Sequence, residues 1–193
     1  MRIFLAGASG VIGVRLIPLL VDAGHEVAGM TRSESKVDML RGLGAEPVVC
    51  DVYNVPSLSS AMTAFQPDLV MHQLTDLPDD LKRLALYARR NNRIRTEGTR
   101  NLVAAARAAD ARRLVAQSIA FRPPGVSRAI AQHERLVLNF GGVVLEYGWF
   151  YGPGTYAGDS PRVPKPRIHV DEAARRTVEL LDSPSGVIVV AEE

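Results

Sequence analysis

Residues 5–13 read "LAGASGVIG", and the fold is decided there. The residues before it, 2–6, form a short apolar run of the kind that makes a buried strand. Three glycines follow at three-residue spacing: Gly7, Gly10 and Gly13. Beyond them Val11, Val14, Leu16, Leu19 and Leu20 recur with helical spacing across residues 11–23, and Gly24 stands at the C′ position of such a helix. Pro18 is expected to bend that helix. Residues 26–30 read as a second strand. A strand therefore hands over to a helix through bare backbone. That costs entropy on folding, so a geometric requirement must demand it.

The rest of the chain repeats this alternation. Short apolar strands are predicted at 46–49, 69–73, 113–117, 143–147 and 187–190. Between them lie helices from a Ser33 cap to Leu43, over 57–65, over a long stretch 81–109, over 127–140, and from an Asp171 cap to Leu181. Proline and glycine collect at 123–125 and 152–166, which read as loops. Such alternation predicts an α/β fold, a doubly wound parallel sheet of about seven strands with helices on both faces. The 193 residues, nearly half of them apolar, suffice for one domain with a substantial core. A formal charge of +2, with arginines scattered rather than gathered into a basic arm, argues against a nucleic-acid partner. Cys50 is the one cysteine, so the chain has no internal disulfide framework, and a reducing cytoplasm fits. No apolar run approaches the roughly twenty residues of a membrane span, and the first apolar run is too short for a signal peptide.

The glycines have a reading in this context. Gly7 permits the tight turn after the strand, Gly10 lets backbone approach a pyrophosphate, and Gly13 lets the helix pack close. The helix N-terminus, with Ser9, Val11 and Ile12 around it, then offers free N–H groups and the positive end of its dipole to phosphate.

The G-x-x-G-x-x-G spacing of "GASGVIG" resembles the short-chain dehydrogenase/reductase superfamily, in its extended and atypical branches, which include the NAD-dependent epimerase/dehydratase family. The resemblance continues through "CDVYN", "PDLVMHQLT", "RTEGTRNLVAAARAA", "RRLVAQS", "GGVVLEYGWFYGPGT" and "IHVDEAARRTVELL", and so covers nearly the whole chain. It implies one NAD(P)-binding Rossmann-like domain over 1–193, with a small substrate-side part near 148–170. The implied activity is that of an NAD(P)-dependent oxidoreductase or epimerase/dehydratase-like enzyme on a small carbonyl or hydroxyl substrate. Specificity for NAD rests on an acidic residue at the end of the second strand. Here that strand runs into Thr31 and Arg32, and Arg32, Ser33 and Lys36 would suit a 2′-phosphate, so NADP(H) is favoured over NAD(H). Asp51, with Val52, fits the position that meets the adenine amino group; a turn-forming aspartate is the alternative. Gln73, Leu74 and Thr75 would pass along the inner ribose and pyrophosphate.

Catalysis is less complete. The resemblance implies a tyrosine acid/base, a lysine that lowers its pKa, and a hydroxyl that holds the carbonyl. Ser118 is placed for the hydroxyl at the carboxyl end of the fifth strand, unless it only caps its own loop. The Y-x-x-x-K pair is missing, because the corresponding helix reads "SRAIAQHERLVL". His133 on that helix could titrate near neutrality, or simply pack; Glu134 matches a structural glutamate; Arg95 stands where many members carry asparagine. Substrate-side candidates are His72 and Asp76 after the fourth strand and Tyr147, Trp149 and Tyr151 after the sixth. Glu146 and Tyr147 replace the arginine and proline of the common "LRPGNVYGPG" pattern. The segments between Phe121 and Ser127 and between Thr155 and His169 are short for this superfamily. Either the protein is minimal, or residues are absent near 121–122 and 158–159, where a catalytic tyrosine could stand. Three readings stay open: an enzyme, a non-catalytic NADP(H)-binding sensor, and an interaction module with a vestigial site. A homodimer through the long helix and the next one is a further expectation.

Overall fold

The computed structural model describes residues 1–77, 84–121, 127–160 and 162–192. Its central strands are β1 Arg2–Ala6, β2 Glu26–Thr31, β3 Glu46–Val49, β4 Leu69–His72, β5 Arg113–Ile119, β6 Val143–Tyr147 and β9 Gly186–Val190. They form one seven-stranded sheet in the order β3-β2-β1-β4-β5-β6-β9, with every adjacent pair parallel. The alternation of side chains along β1 separates the two cores. Ile3 and Leu5 pack with Leu16, Ile17 and Leu20 of helix α1 (Gly13–Asp22) and with Ala173 and Ala174 of α7 (Val170–Glu179). Phe4 and Ala6 face the other way, onto Leu58 and Met62 of α3 (Val55–Phe65), Leu102 of α5 (Thr99–Ala108) and Val137 of α6 (Ser127–Phe140). Strand β1 pairs with β2 on one side and β4 on the other, so the winding reverses beside its carboxyl end, where open sheets of this kind bind ligands.

Local signals explain most boundaries. Helix α1 ends in the two hydrogen bonds of a Schellman motif, Gly24 N–H to the Val21 carbonyl at 2.9 Å and His25 N–H to the Leu20 carbonyl at 3.0 Å. It runs unbroken through Pro18. Helix α3 starts before the expected Ser57, because Asn54 accepts from the Ser57 N–H at 3.2 Å and Pro56 suits the first turn.

Other expectations are corrected. Ser33 makes no side-chain cap; a single 3-10 turn, Glu34–Lys36, precedes α2 (Val37–Gly42). Asp171 does not cap α7. His169 does, its Nδ1 accepting from the Asp171 N–H at 3.3 Å, which leaves the Asp171 carboxylate to pair with Arg15. The long helix expected over 81–109 is present across its described residues but is not uniform: α4 (Leu84–Arg93) passes through a π-helical turn at Ile94–Gly98 into α5. Its expected start at 81–83 and the loop at 123–125 lie outside the described residues. Within 148–170 the chain also builds a small parallel pair, β7 (Trp149–Tyr151) beside β8 (Arg167–His169). Three-residue strands are too short to show a period, so the sequence predicts neither; they flank the loop expected at 152–166.

Candidate functional site

The glycine loop is packed on two sides and open on the third. Gly7 has φ +94°, and a Cβ there would lie 2.6 Å from the carbonyl carbon and oxygen of Gln73, so neither backbone angle nor space admits a side chain. This contact presses the end of β1 against the end of β4, where Gln73 N–H donates to the Ala6 carbonyl at 2.8 Å. A Cβ on Gly13 would lie 2.3 Å from the Gly7 oxygen, so α1 begins in contact with the loop's own carbonyls. Gly10 is different: a Cβ there would meet only the Gly7 oxygen, at 3.2 Å. Among the described residues the N–H groups of Val11 and Ile12, beside it, donate to no backbone acceptor. Donors without a backbone partner at a helix start, next to the open position at Gly10, fit a phosphate group.

The end of β2 is tied to this loop. Ser9 and Thr31 share a hydroxyl hydrogen bond of 3.0 Å, and Thr31 Oγ1 also accepts from the Ser33 N–H at 3.3 Å. Arg32 and Lys36 are exposed, and Ser33 is half-buried with its hydroxyl 2.8 Å from that of Ser35. Asp51 performs the turn role, its Oδ1 accepting from the Tyr53 N–H at 2.9 Å. Val52 is buried, and its carbonyl accepts from Asn101 of α5 at 3.0 Å. Beyond β4, the Leu74 carbonyl accepts from Gln117 Nε2 at 3.2 Å, Thr75 is exposed, and Asp76 pairs with Arg90 at 3.0 Å.

Beneath this edge runs a buried polar chain. Leu74 N–H donates to His72 Nδ1 at 3.3 Å, and His72 Nε2 lies 3.0 Å from Thr99 Oγ1. Thr99 Oγ1 is 2.7 Å from His133 Nδ1, and His133 Nε2 is 2.9 Å from the Gln117 carbonyl. An N–H can only donate and a carbonyl can only accept, which fixes the two ends of the chain. His72 Nδ1 accepts from Leu74, so His72 carries its proton on Nε2 and gives it to Thr99, and His133 Nε2 donates to Gln117. The one Thr99 proton has two acceptors in reach, His133 Nδ1 at 2.7 Å and the Ile94 carbonyl at 3.4 Å, and with His133 neutral the nearer one takes it. The environment keeps both rings neutral. Burial, then the cost of a second charge beside the His133 ring and the Arg95 charge, hold His72 well below the usual histidine range, and burial and Arg95 take His133 down to about 4. The π-helical turn brings Thr99 between the rings; such turns recur at functional sites. Reading the sequence missed Thr99. His72 and His133 stand on different elements, and no local pattern announces their meeting.

Four singled-out side chains turn inward. Ser118 is 1% exposed and its hydroxyl donates to Glu134 at 2.5 Å, so its bond goes to α6 and not to the open edge. His72 has both ring nitrogens engaged, and His133 does not titrate near neutrality. Tyr147 is 2% exposed, with its hydroxyl 2.6 Å from Thr177 Oγ1. Burial pushes that phenol up to about 12, against the opposing pull of Thr177 and Gln73. The Gln73 amide approaches Tyr147 without hydrogen-bond geometry, so both of its polar atoms are buried and unpaired. His72 and Tyr147, expected on the substrate side, thus lie in the interior, with their polar atoms bonded to protein groups.

The other substrate-side residues stay near the surface. Tyr151 donates to Glu192, which also pairs with Arg167 at 3.3 Å. Trp149 stacks on Phe121 with centroids 3.9 Å apart. Arg15 of α1 reaches across to the Pro153 carbonyl and Asp171, joining the loop after β7 to the helix that opens at the glycines. A cavity of about 220 Å³ lies at the opposite, amino-terminal edge of the sheet, but Arg112 and Arg113 beside it are already held by Asp68 and by the Leu181 and Ser183 carbonyls. Among the described residues no helix is long and apolar enough to cross a membrane.

Comparison with known proteins agrees with this geometry. Residues 7–137 match the NAD(P)H-binding family. A 3-diazoavenalumate denitrifying reductase from Streptomyces sp is 38% identical over 229 residues, covering 95% of this chain and 73% of the relative. That alignment is longer than the chain itself, so the relative carries internal stretches with no counterpart here. The fold is that of the UDP-glucose 4-epimerase of Thermus thermophilus in complex with NAD (TM-score 0.81, 19% identity, 99% of this chain and 78% of that one). It is also that of the UDP-Glc/GlcNAc 4-epimerase of Campylobacter jejuni (TM-score 0.76, 14% identity, 98% and 78%). A switch-point crevice built around an open glycine loop, with matches across most of the chain, leads to one assignment: this chain belongs to the NAD(P)H-binding family and has the Rossmann fold.

Proposed function

We propose that this protein binds NADP(H) in preference to NAD(H) and supports hydride transfer between that cofactor and a small carbonyl or hydroxyl substrate. One observation carries the binding part. Gly7 and Gly13 are closed by protein backbone, whereas Gly10 is open and the Val11 and Ile12 amides beside it are unpaired among the described residues. In this reading the pyrophosphate lies on that face, with Ser9 bracing the loop from Thr31. Arg32, Ser33 and Lys36 take the 2′-phosphate, supported by the lack of a carboxylate at the end of β2. Asp51, by its Oδ2, and Val52 border the adenine, and Leu74 and Thr75 run toward the nicotinamide. The nicotinamide, when bound, supplies or accepts the hydride. The chain's own part is to orient it, through the stiff polar chain under Leu74, and to hold substrate with the 148–170 part, where Arg15 ties the loop to α1. Ser118 then acts through Glu134 as a support of α6.

A specific observation favours a second reading, a cofactor-binding sensor without turnover. No Tyr-x-x-x-Lys pair stands on α6, and Ser118 is turned inward. Steady-state assay of NADPH consumption with a panel of aldehydes, ketones and quinones separates the two. Substrate-dependent loss of reduced-nicotinamide absorbance supports the reductase. NADPH binding with no turnover across the panel supports the sensor and overturns the reductase.

A further inference from the structure

Three aromatic side chains leave the carboxyl edge of the sheet from three different segments. Phe121 follows β5, Trp149 opens β7 directly after β6, and Tyr156 lies in the loop after β7. Phe121 and Trp149 are stacked, 3.9 Å between centroids and 10° from parallel; Tyr156 meets Trp149 edge-on at 6.2 Å and 86°. Strand alternation explains why they are here. Phe150 points to the sheet and packs on Tyr147 and the α1–α7 core, so Trp149 must point away from it. Among the described residues none of the three belongs to either hydrophobic core. Phe121 and Trp149 are part-exposed, and Tyr156 is 39% exposed. Aromatic rings carry a large hydrophobic driving force, and a cluster of them left partly wet at a ligand-binding edge marks an interaction surface.

The cluster is also held in place. Gly152 N–H donates to the Gly158 carbonyl at 2.7 Å, and Thr155 bonds the Gly152 carbonyl with its hydroxyl at 2.8 Å. Arg15 grips the Pro153 carbonyl from α1. The loop bearing Tyr156 therefore rests on the first turns of the helix that opens the cofactor site. A surface fixed in advance binds with less ordering cost.

We propose that Phe121, Trp149 and Tyr156 form a subsite for a planar aromatic ring of the substrate. This rests on the cofactor reading above, which places the reacting carbon at the same edge. The ring is that of an aryl compound and not the base of a nucleoside diphosphate. A diphosphate needs several converging cations, and of those around the loop Arg15 and Arg167, on α1 and β8, are held by Asp171 and Glu192, which leaves the exposed Arg162 to face it without them.

Calorimetry on the NADPH-saturated protein tests it, with 2-naphthoate, its saturated analogue decahydro-2-naphthoate, and UDP as probes. The two carboxylates share skeleton and charge, and differ in the planar π-face. The expected result is about tenfold tighter binding of 2-naphthoate, with that advantage lost in Tyr156→Ala and Phe121→Ala, kept in Tyr156→Phe, and NADPH affinity unchanged in all three. Equal affinity for the two carboxylates, no binding of either, or UDP binding that exceeds 2-naphthoate and ignores Tyr156→Ala overturns the proposal. The NADPH titration precedes these in the same experiment. If NADPH fails to bind, the cofactor reading falls, and the carboxylate comparison on the free protein still decides the aromatic subsite.

Discussion

The glycine loop and the ends of β5 and β6 share one edge of one sheet, but they are made of different material. In the loop, backbone does the work: Gly7 against Gln73, Gly13 against the Gly7 carbonyl, open amides at Val11 and Ile12. Around β5 and β6, side chains from distant elements do it: Ser118 to Glu134, His133 to Thr99, Tyr147 to Thr177. Backbone sites depend on a few consecutive residues, whereas side-chain sites depend on which elements the fold brings together. A binding function written in backbone can persist while the side chains beside it are exchanged.

The largest effects should come from the loop, and they should split. Gly7→Val meets both a forbidden backbone angle and the Gln73 carbonyl, so the fold itself should fail, read as loss of a cooperative melting transition. Gly10→Val meets only one oxygen at 3.2 Å, so the protein should still fold while NADPH binding falls by at least about a hundredfold. Equal damage to folding in both variants would erase the distinction between closed and open glycines.

The buried polar chain should come next. Thr99→Val leaves His72 Nε2–H and His133 Nδ1 without partners, a loss of about 2–4 kcal/mol in urea unfolding. The same chain sets a pH dependence. Both histidines have folded pKa values below the unfolded 6.5, so below that pH the unfolded chain takes up protons first. Stability should therefore be full above about pH 6.5 and should fall as pH drops toward about 4, where His133 protonates in the folded protein. His133→Gln should flatten part of that slope. An unchanged slope would mean that His133 is not the group buried neutral.

Arg32→Asp should move preference from NADPH toward NADH by about tenfold or more, through the lost phosphate contact and the gained ribose acceptor. If the ratio of the two dissociation constants does not move, Arg32 does not read the phosphate. Arg15→Gln should do least to the fold. Its partner Asp171 is largely exposed, so solvent discounts the pair and less than about 1 kcal/mol of stability is expected. A sharp stability loss would show that the 152–158 loop is part of the folding core.

The difference between the two regions also explains what could be read in the sequence. The β1–α1–β2 unit announces itself through local periods and a Gly24 stop, and all seven strands of the main sheet were visible as apolar runs. The glycine loop was legible for the same reason. The π-helical turn at Ile94–Gly98 was not, because one extra residue in a helical turn leaves the apolar spacing nearly unchanged, and its contact, Thr99 with His133, is tertiary. Strands β7 and β8 pair across a long loop and are three residues each, below any periodic signal. The inward turn of Ser118 follows from Glu134 standing opposite it on α6, a tertiary fact with no trace in the spacing of "AQS".

The most direct test is a pair of titrations, NADPH and NADH in parallel, followed by the fluorescence of Trp149, the only tryptophan, and by calorimetry. Saturable binding of NADPH at much lower concentration than NADH is the predicted result. Binding of neither cofactor by calorimetry would contradict the account, because the open face at Gly10 would then have no ligand of the kind its geometry fits.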